Sequence, residues 1–229
     1  TGSGKSTQLR AILTALIQTQ SPDDLLLYLA DLKRSEFHIF KEVAHVKQNV
    51  IDRDKLESML LDIKEIMKER GDLLNREEEA HISDLPKAKR PPFIVLCIDE
   101  VALIKKEESL MDMIEEVAQI GRALGVFLIL SMQRPDAKVL DGKIKQCLTV
   151  RMAFRQADAI NSGIVLGQGG AELIGLKERG VMLLKHETLK RVQGPYLELK
   201  KAKEILHEYK VEKSPAEVKQ NKDDGDPIG

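Results

Sequence analysis

Hydrophobic positions along the chain follow two rhythms. In "STQLRAILTALIQTQ" the residues Leu9, Ile12, Leu13 and Leu16 fall three and four apart, the spacing of one helix face. From Asp52 the same spacing runs through Leu56, Met59, Leu60, Ile63, Ile66 and Met67 and predicts a strong amphipathic helix. A further helix over 107–124 turns Leu110, Met113, Ile114, Val117 and Ile120 to one side, with Gly125 as its stop. Between these stretches lie short, unbroken apolar runs: "LLLYLA", "FIVLCI" and "VFLILS". Such runs predict strands buried on both faces of a parallel sheet. "LTVRMAF" and "GVMLLK" predict two more strands, with a short helix between them. Strands alternating with amphipathic helices give an α/β domain with a mostly parallel central sheet flanked by helices. "NREEEAHISDLPKAKRPP" reads as a surface excursion, and "SPAEVKQNKDDGDPIG" as a polar, disordered tail.

Composition narrows the classes. The chain has 229 residues, 42% hydrophobic and 32% charged, which is a globular balance. Lys and Arg number 36 against 37 Asp and Glu, so overall charge gives no support for nucleic-acid binding and any basic surface must be local. Aromatics are only 3%, with no Trp, which argues against a base-stacking platform. Cys97 and Cys147 form no C-x-x-C pair and read as free thiols of a reducing compartment. The five histidines show no metal-ligand spacing, and no apolar run is long enough to span a membrane.

Chemistry enters with "TGSGKST", Thr1–Thr7, which matches the back half of the phosphate-binding pattern G-x-x-x-x-G-K-[ST]. The leading glycine of that pattern falls upstream of Thr1. In such a loop the backbone N–H groups of Thr1, Gly2, Ser3 and Gly4 and the helix that follows cradle a β-phosphate. Lys5 reaches the β- and γ-phosphates, the Ser6 hydroxyl ligates Mg2+, and Thr7 completes the site. A glycine turn before a helix is the bland alternative. The apolar run "FIVLCI" carries Asp99 and Glu100 to a strand end, where open α/β sheets bind ligands. There Asp99 can hold the metal through its water shell and Glu100 can polarise an attacking water. Two acidic helix caps would look the same in isolation. With the loop upstream, the pair points to ATP hydrolysis.

Several further stretches occur in one order: "DLKRSEF", "IDEVALI", "QIGRALGVFLILSMQRPDAKVLDGKIKQ", "RMAFR", "GQGGAELIGLKERGVML" and "QGPYLELKKAKEIL". Together they resemble the motor domain of the FtsK/SpoIIIE family, hexameric RecA-like P-loop ATPases that pump double-stranded DNA. The resemblance covers residues 1–206 as the motor domain and leaves 207–229 as the tail. It implies that Arg122 of "GRALG" acts in trans on the γ-phosphate of a neighbouring subunit. It also implies that Gln133 senses that phosphate, and that "GQGGAE" (167–172) lies near the nucleotide or subunit boundary. Asp31 and Lys33 match a family motif by position, with no role beyond a strand-end contact. DNA contacts are expected from Lys138, Lys143 and Lys145, which read equally well as a solvated loop.

The expected assembly is a homo-oligomeric, hexameric ring using ATP and Mg2+ on double-stranded DNA. The motor is expected in the cytoplasm, with any membrane attachment in segments upstream. With no winged-helix domain after residue 206, conjugative transfer is expected ahead of chromosome segregation. An export ATPase of the type VII secretion kind, acting on a polypeptide, shares every one of these nucleotide-site residues. A scaffold module without turnover does not fit intact Lys5, Asp99, Glu100 and Arg122.

Overall fold

The computed structural model describes residues 2–140 and 142–211. Helix α1 (Lys5–Thr19) follows the glycine loop directly, and β1 (Leu25–Asp31) and β2 (Val46–Val50) come next. The long helix α2 (Arg53–Glu77) is capped by the Asp52 carboxylate, which accepts the Lys55 N–H at 2.9 Å. It leads to β3 (Phe93–Asp99), α3 (Glu108–Ile120) and β4 (Val126–Ser131). Strand order is β2-β1-β3-β4 with all pairs parallel. Alternation along the strands builds a three-layer sandwich. Leu27, Leu29, Val95 and Cys97 pack against Leu9, Leu13 and Ile17 of α1. Tyr28, Ala30, Ile94, Leu96 and Ile98 pack against α2 and α3 on the other face.

Three features differ from the expectation. The third helix ends at Ile120 rather than 124, because the chain reverses there: the Val126 N–H donates to Gly121 O at 2.8 Å, and Gly125 turns through φ +70°. Strand β4 pairs only with β3 among the described residues, and Phe127 stays 42% exposed where the apolar run predicts burial on both faces. The excursion before β3 is not all surface, since Ile82 and Leu85 are buried with Leu74.

The two later strands form a separate antiparallel sheet rather than joining the parallel one. It comprises β5 (Arg151–Phe154), β6 (Val181–Lys185) and β7 (Leu189–Gln193), in that order. The three residues between β6 and β7 are too few for a parallel crossover, so the connection must be a hairpin. Short helices α4 (Gly142–Cys147) and α5 (Ala159–Leu166) lie between β4 and β6 in sequence. Helix α6 (Leu199–His207) returns to the α1 face through Ala202 and Leu206, and the Val211 N–H donates to Glu42 O at 2.8 Å. Of the tail expected over 207–229, the first residues belong to the fold, since His207 ends α6 and Lys210 bridges antiparallel to Val43, and residues 212–229 lie outside the described residues. No helix among the described residues is long and apolar enough to cross a membrane.

Candidate phosphate-binding site

The loop owes its shape to Gly4, which has φ +114° and which a side chain could not replace. A Cβ there would stand 2.9 Å from Gly180 Cα and 3.2 Å from the Phe154 ring. The Gly180 N–H donates to Ser3 O at 3.0 Å, and the Gly194 N–H to Gly180 O at 2.8 Å. The antiparallel sheet therefore braces the glycine loop from outside. Gly2 has φ +87°, and Ser6 and Thr7 lie half-buried in the first turn of α1. Thr1 lies outside the described residues.

Lys5 turns inward to the strand ends. Its Nζ lies 2.5 Å from Asp99 Oδ1 and donates to Ser131 Oγ at 2.8 Å, while the Ser131 hydroxyl donates to the same Asp99 oxygen at 2.8 Å. Register explains the meeting, because Asp31, Asp99 and Ser131 are paired across β1, β3 and β4 at the carboxyl edge. Asp31 is buried. Its Oδ2 accepts the N–H groups of Glu36 and Phe37 at 2.8 and 2.9 Å, and its Oδ1 has no partner.

Glu100 follows in a left-handed conformation, φ +59°, which swings its side chain away from the strand. Its carboxylate accepts the Gln133 N–H at 3.1 Å on both oxygens and pairs with Lys33 Nζ at 2.6 Å. Gln133 thus meets Glu100 through its backbone, with its side chain exposed. Ser131 and the Lys33–Glu100 pair were not predicted as parts of the site. Ser131 carries only a weak signal as the polar end of an apolar run, and Lys33 lies 67 residues from its partner.

The other candidates stand apart. Arg122 is exposed in the turn before β4, at the amino edge of the sheet, roughly 20 Å along the strand from Ser131. Lys138 is exposed, and Lys143 Nζ lies 3.2 Å from Glu115 of α3. Lys145 turns inward and donates to Gly163 O at 3.1 Å; desolvation, with Arg151 and Lys185 nearby, lowers its pKa. The 167–172 turn holds Gly167 and Gly170 at positive φ, and the Glu172 carboxylate accepts the Gly170 N–H at 2.8 Å.

Chemically, the edge offers the backbone N–H groups of the glycine loop, the Lys5 ammonium, the hydroxyls of Ser6 and Ser131 and the strand-end carboxylates of Asp31 and Asp99, with the Lys33–Glu100 pair beside them. No group of three or more His, Cys, Asp or Glu residues able to hold a metal occurs among the described residues. So sparse a set suits a hard cation that keeps most of its water and shares phosphate oxygens.

A glycine loop opening a helix, set beside the carboxyl ends of a parallel sheet that carries Asp99 and Glu100, defines a P-loop ATPase domain. Within that class, the chain belongs to the FtsK/SpoIIIE family, whose family model matches residues 1–91. The DNA translocase FtsK of Leptospira interrogans is 31% identical over 98% of this chain and 25% of its own length. That of Listeria monocytogenes is 28% identical over 90% of this chain and 30% of its own length. The chain thus spans between a quarter and a third of these relatives. Among solved structures, the pCW3 conjugation coupling protein TcpA, in a monomer form with ATPgS, matches at a TM-score of 0.79 and 27% identity, covering 92% of this chain and 63% of that one. The cytoplasmic domain of the type VII secretion ATPase EccC from Thermomonospora curvata matches at 0.80 and 26%, covering 92% and 27%.

Proposed function

We propose that the chain binds and hydrolyses ATP and is the motor of a ring that moves double-stranded DNA. The observation that carries this reading is the convergence of Lys5, Asp99 and Ser131, with Glu100 beside them, at the strand edge behind the glycine loop. In this reading Gly2, Ser3, Gly4, Lys5, Ser6 and Thr7 hold the phosphates, and Thr1 joins them. Ser6 and Asp99 hold Mg2+, which when bound neutralises charge on the phosphate oxygens. Glu100 takes the proton of the attacking water, and Gln133 fixes Glu100 through its N–H.

Arg122 stands at the sheet edge opposite Lys5, so it serves a neighbouring subunit's site rather than its own. That demand favours a head-to-tail contact, which closes into a ring, here a hexamer. Lys138 is the exposed candidate for phosphate-backbone contact; Lys143 and Lys145 would first have to leave Glu115 and Gly163. The translocase relatives and the TcpA likeness support DNA as the load and conjugation as one setting, with the motor in the cytoplasm.

The likeness to EccC favours a second reading, an export ATPase acting on a polypeptide. ATP hydrolysis measured with and without linear duplex DNA separates the two. Stimulation by duplex that fades as salt rises, and that is lost in Lys5→Ala, supports the DNA motor. A rate indifferent to duplex but raised by a substrate peptide supports export.

A further inference from the structure

Lys33 lies outside the phosphate loop, yet it makes the closest contact to Glu100. Its Nζ sits 2.6 Å from Glu100 Oε2. The Gln133 N–H occupies both carboxylate oxygens as well. About three of the roughly four acceptor positions of that carboxylate are therefore taken. The group assigned to draw a proton from water is turned toward an ammonium and a peptide N–H.

The turn that carries Lys33 is built rigidly at its base and openly at its tip. Asp31 anchors it, its carboxylate accepting the N–H groups of Glu36 and Phe37 and its carbonyl that of Arg34. Arg34 adopts φ +57°, a left-handed conformation that is strained for a non-glycine residue. It is exposed and makes no ion pair among the described residues. Two adjacent cations, one holding the base and one unpaired, stand at the same solvent-facing corner.

We propose that Lys33 is a positioning residue that restrains Glu100, and that phosphate oxygens of a nucleic-acid backbone, drawn by Lys33 and Arg34, release it. A phosphate competes for an ammonium with the same charge-assisted hydrogen bond that the carboxylate offers. Once Lys33 transfers to phosphate, Glu100 Oε2 regains acceptor positions for water. This links the load to hydrolysis through one side chain. It rests on the reading of Glu100 as the base.

The test is steady-state ATP hydrolysis by the full-length protein, with linear duplex DNA as the probe. It compares wild type, Lys33→Met, Lys33→Arg, Arg34→Gln and Glu100→Gln. Lys33→Met is expected to raise the DNA-free rate about tenfold, with KM for ATP unchanged and the stimulation ratio falling toward one. Lys33→Arg keeps a donor and is expected to retain a low DNA-free rate. Arg34→Gln is expected to keep the low DNA-free rate while requiring more DNA for half-stimulation. A Lys33→Met protein that binds ATPγS normally, yet shows an unchanged or lower DNA-free rate, overturns the restraint. Release of the wild type by an acidic polypeptide but not by duplex overturns the nucleic-acid part. If Glu100→Gln hydrolyses ATP at the wild-type rate, the base assignment itself is wrong. A dead Glu100→Gln beside an unchanged Lys33→Met sinks the restraint alone.

Discussion

At the scale of single residues, position 4 decides whether the loop can form. A methyl group there meets backbone, Gly180 Cα at 2.9 Å, and the φ of +114° is one that L side chains rarely adopt. Gly4→Ala is expected to cost roughly 1–3 kcal/mol of stability and to weaken ATP binding at least tenfold, read by calorimetry and by nucleotide titration. Cys97 offers an independent check on the sheet interior. Burial, with Asp99 close by, pushes its thiol well above the ordinary range, so the reactive thiolate is suppressed. Native protein treated with iodoacetamide is expected to be modified at Cys147 alone, with Cys97 reacting only after unfolding. Much of this was legible in the sequence: Gly4, Lys5, Asp99 and Glu100 sit in short patterns whose chemistry demands those residues at those spacings. Lys33 and Ser131 were not legible as site parts, because strand register brings them in and no local spacing encodes it.

Among the elements, α2 reaches across one face of the sheet and fixes the turn that carries Arg122. Arg70 near its end is buried without a carboxylate. It donates to Leu124 O at 2.8 Å, to Gly125 O at 3.2 Å and to Pro92 O at 2.5 Å. Desolvation draws its pKa down to about 10, which still leaves it charged at neutral pH. Arg70→Met strips three carbonyls of a common donor. It is expected to destabilise the domain by about 2–4 kcal/mol in urea unfolding. ATP hydrolysis should fall as well, because the Arg122 turn loses its support. The period-3.6 pattern of α2 and the continuous apolar runs of β1 and β3 make those elements plain from sequence. Strands β2 ("VKQNV") and β7 ("LKRVQ") carry too few apolar residues to stand out, and they exist because neighbouring strands supply their hydrogen bonds.

For the whole molecule, two sheets meet at the glycine loop, and the parallel one presents different chemistry at its two edges. Lys5, Asp99 and Glu100 occupy one edge, and Arg122 the other. In the proposed ring, each subunit's site is completed by Arg122 of a neighbouring copy. Rings mixing Arg122→Ala with Lys5→Ala subunits are therefore expected to regain hydrolysis that neither variant shows alone, because some interfaces pair an intact loop with an intact arginine. The separation into a parallel and an antiparallel sheet was not legible in the sequence, since "LTVRMAF" and "GVMLLK" look like any buried strand and only the short hairpin after the second betrays its direction.

The most direct test of a DNA-moving motor is displacement of a triplex-forming oligonucleotide from a linear duplex by the full-length protein. Displacement is expected to require ATP and to be absent in Lys5→Ala and Glu100→Gln. ATP hydrolysis without displacement, at a protein concentration that saturates the duplex, would contradict it.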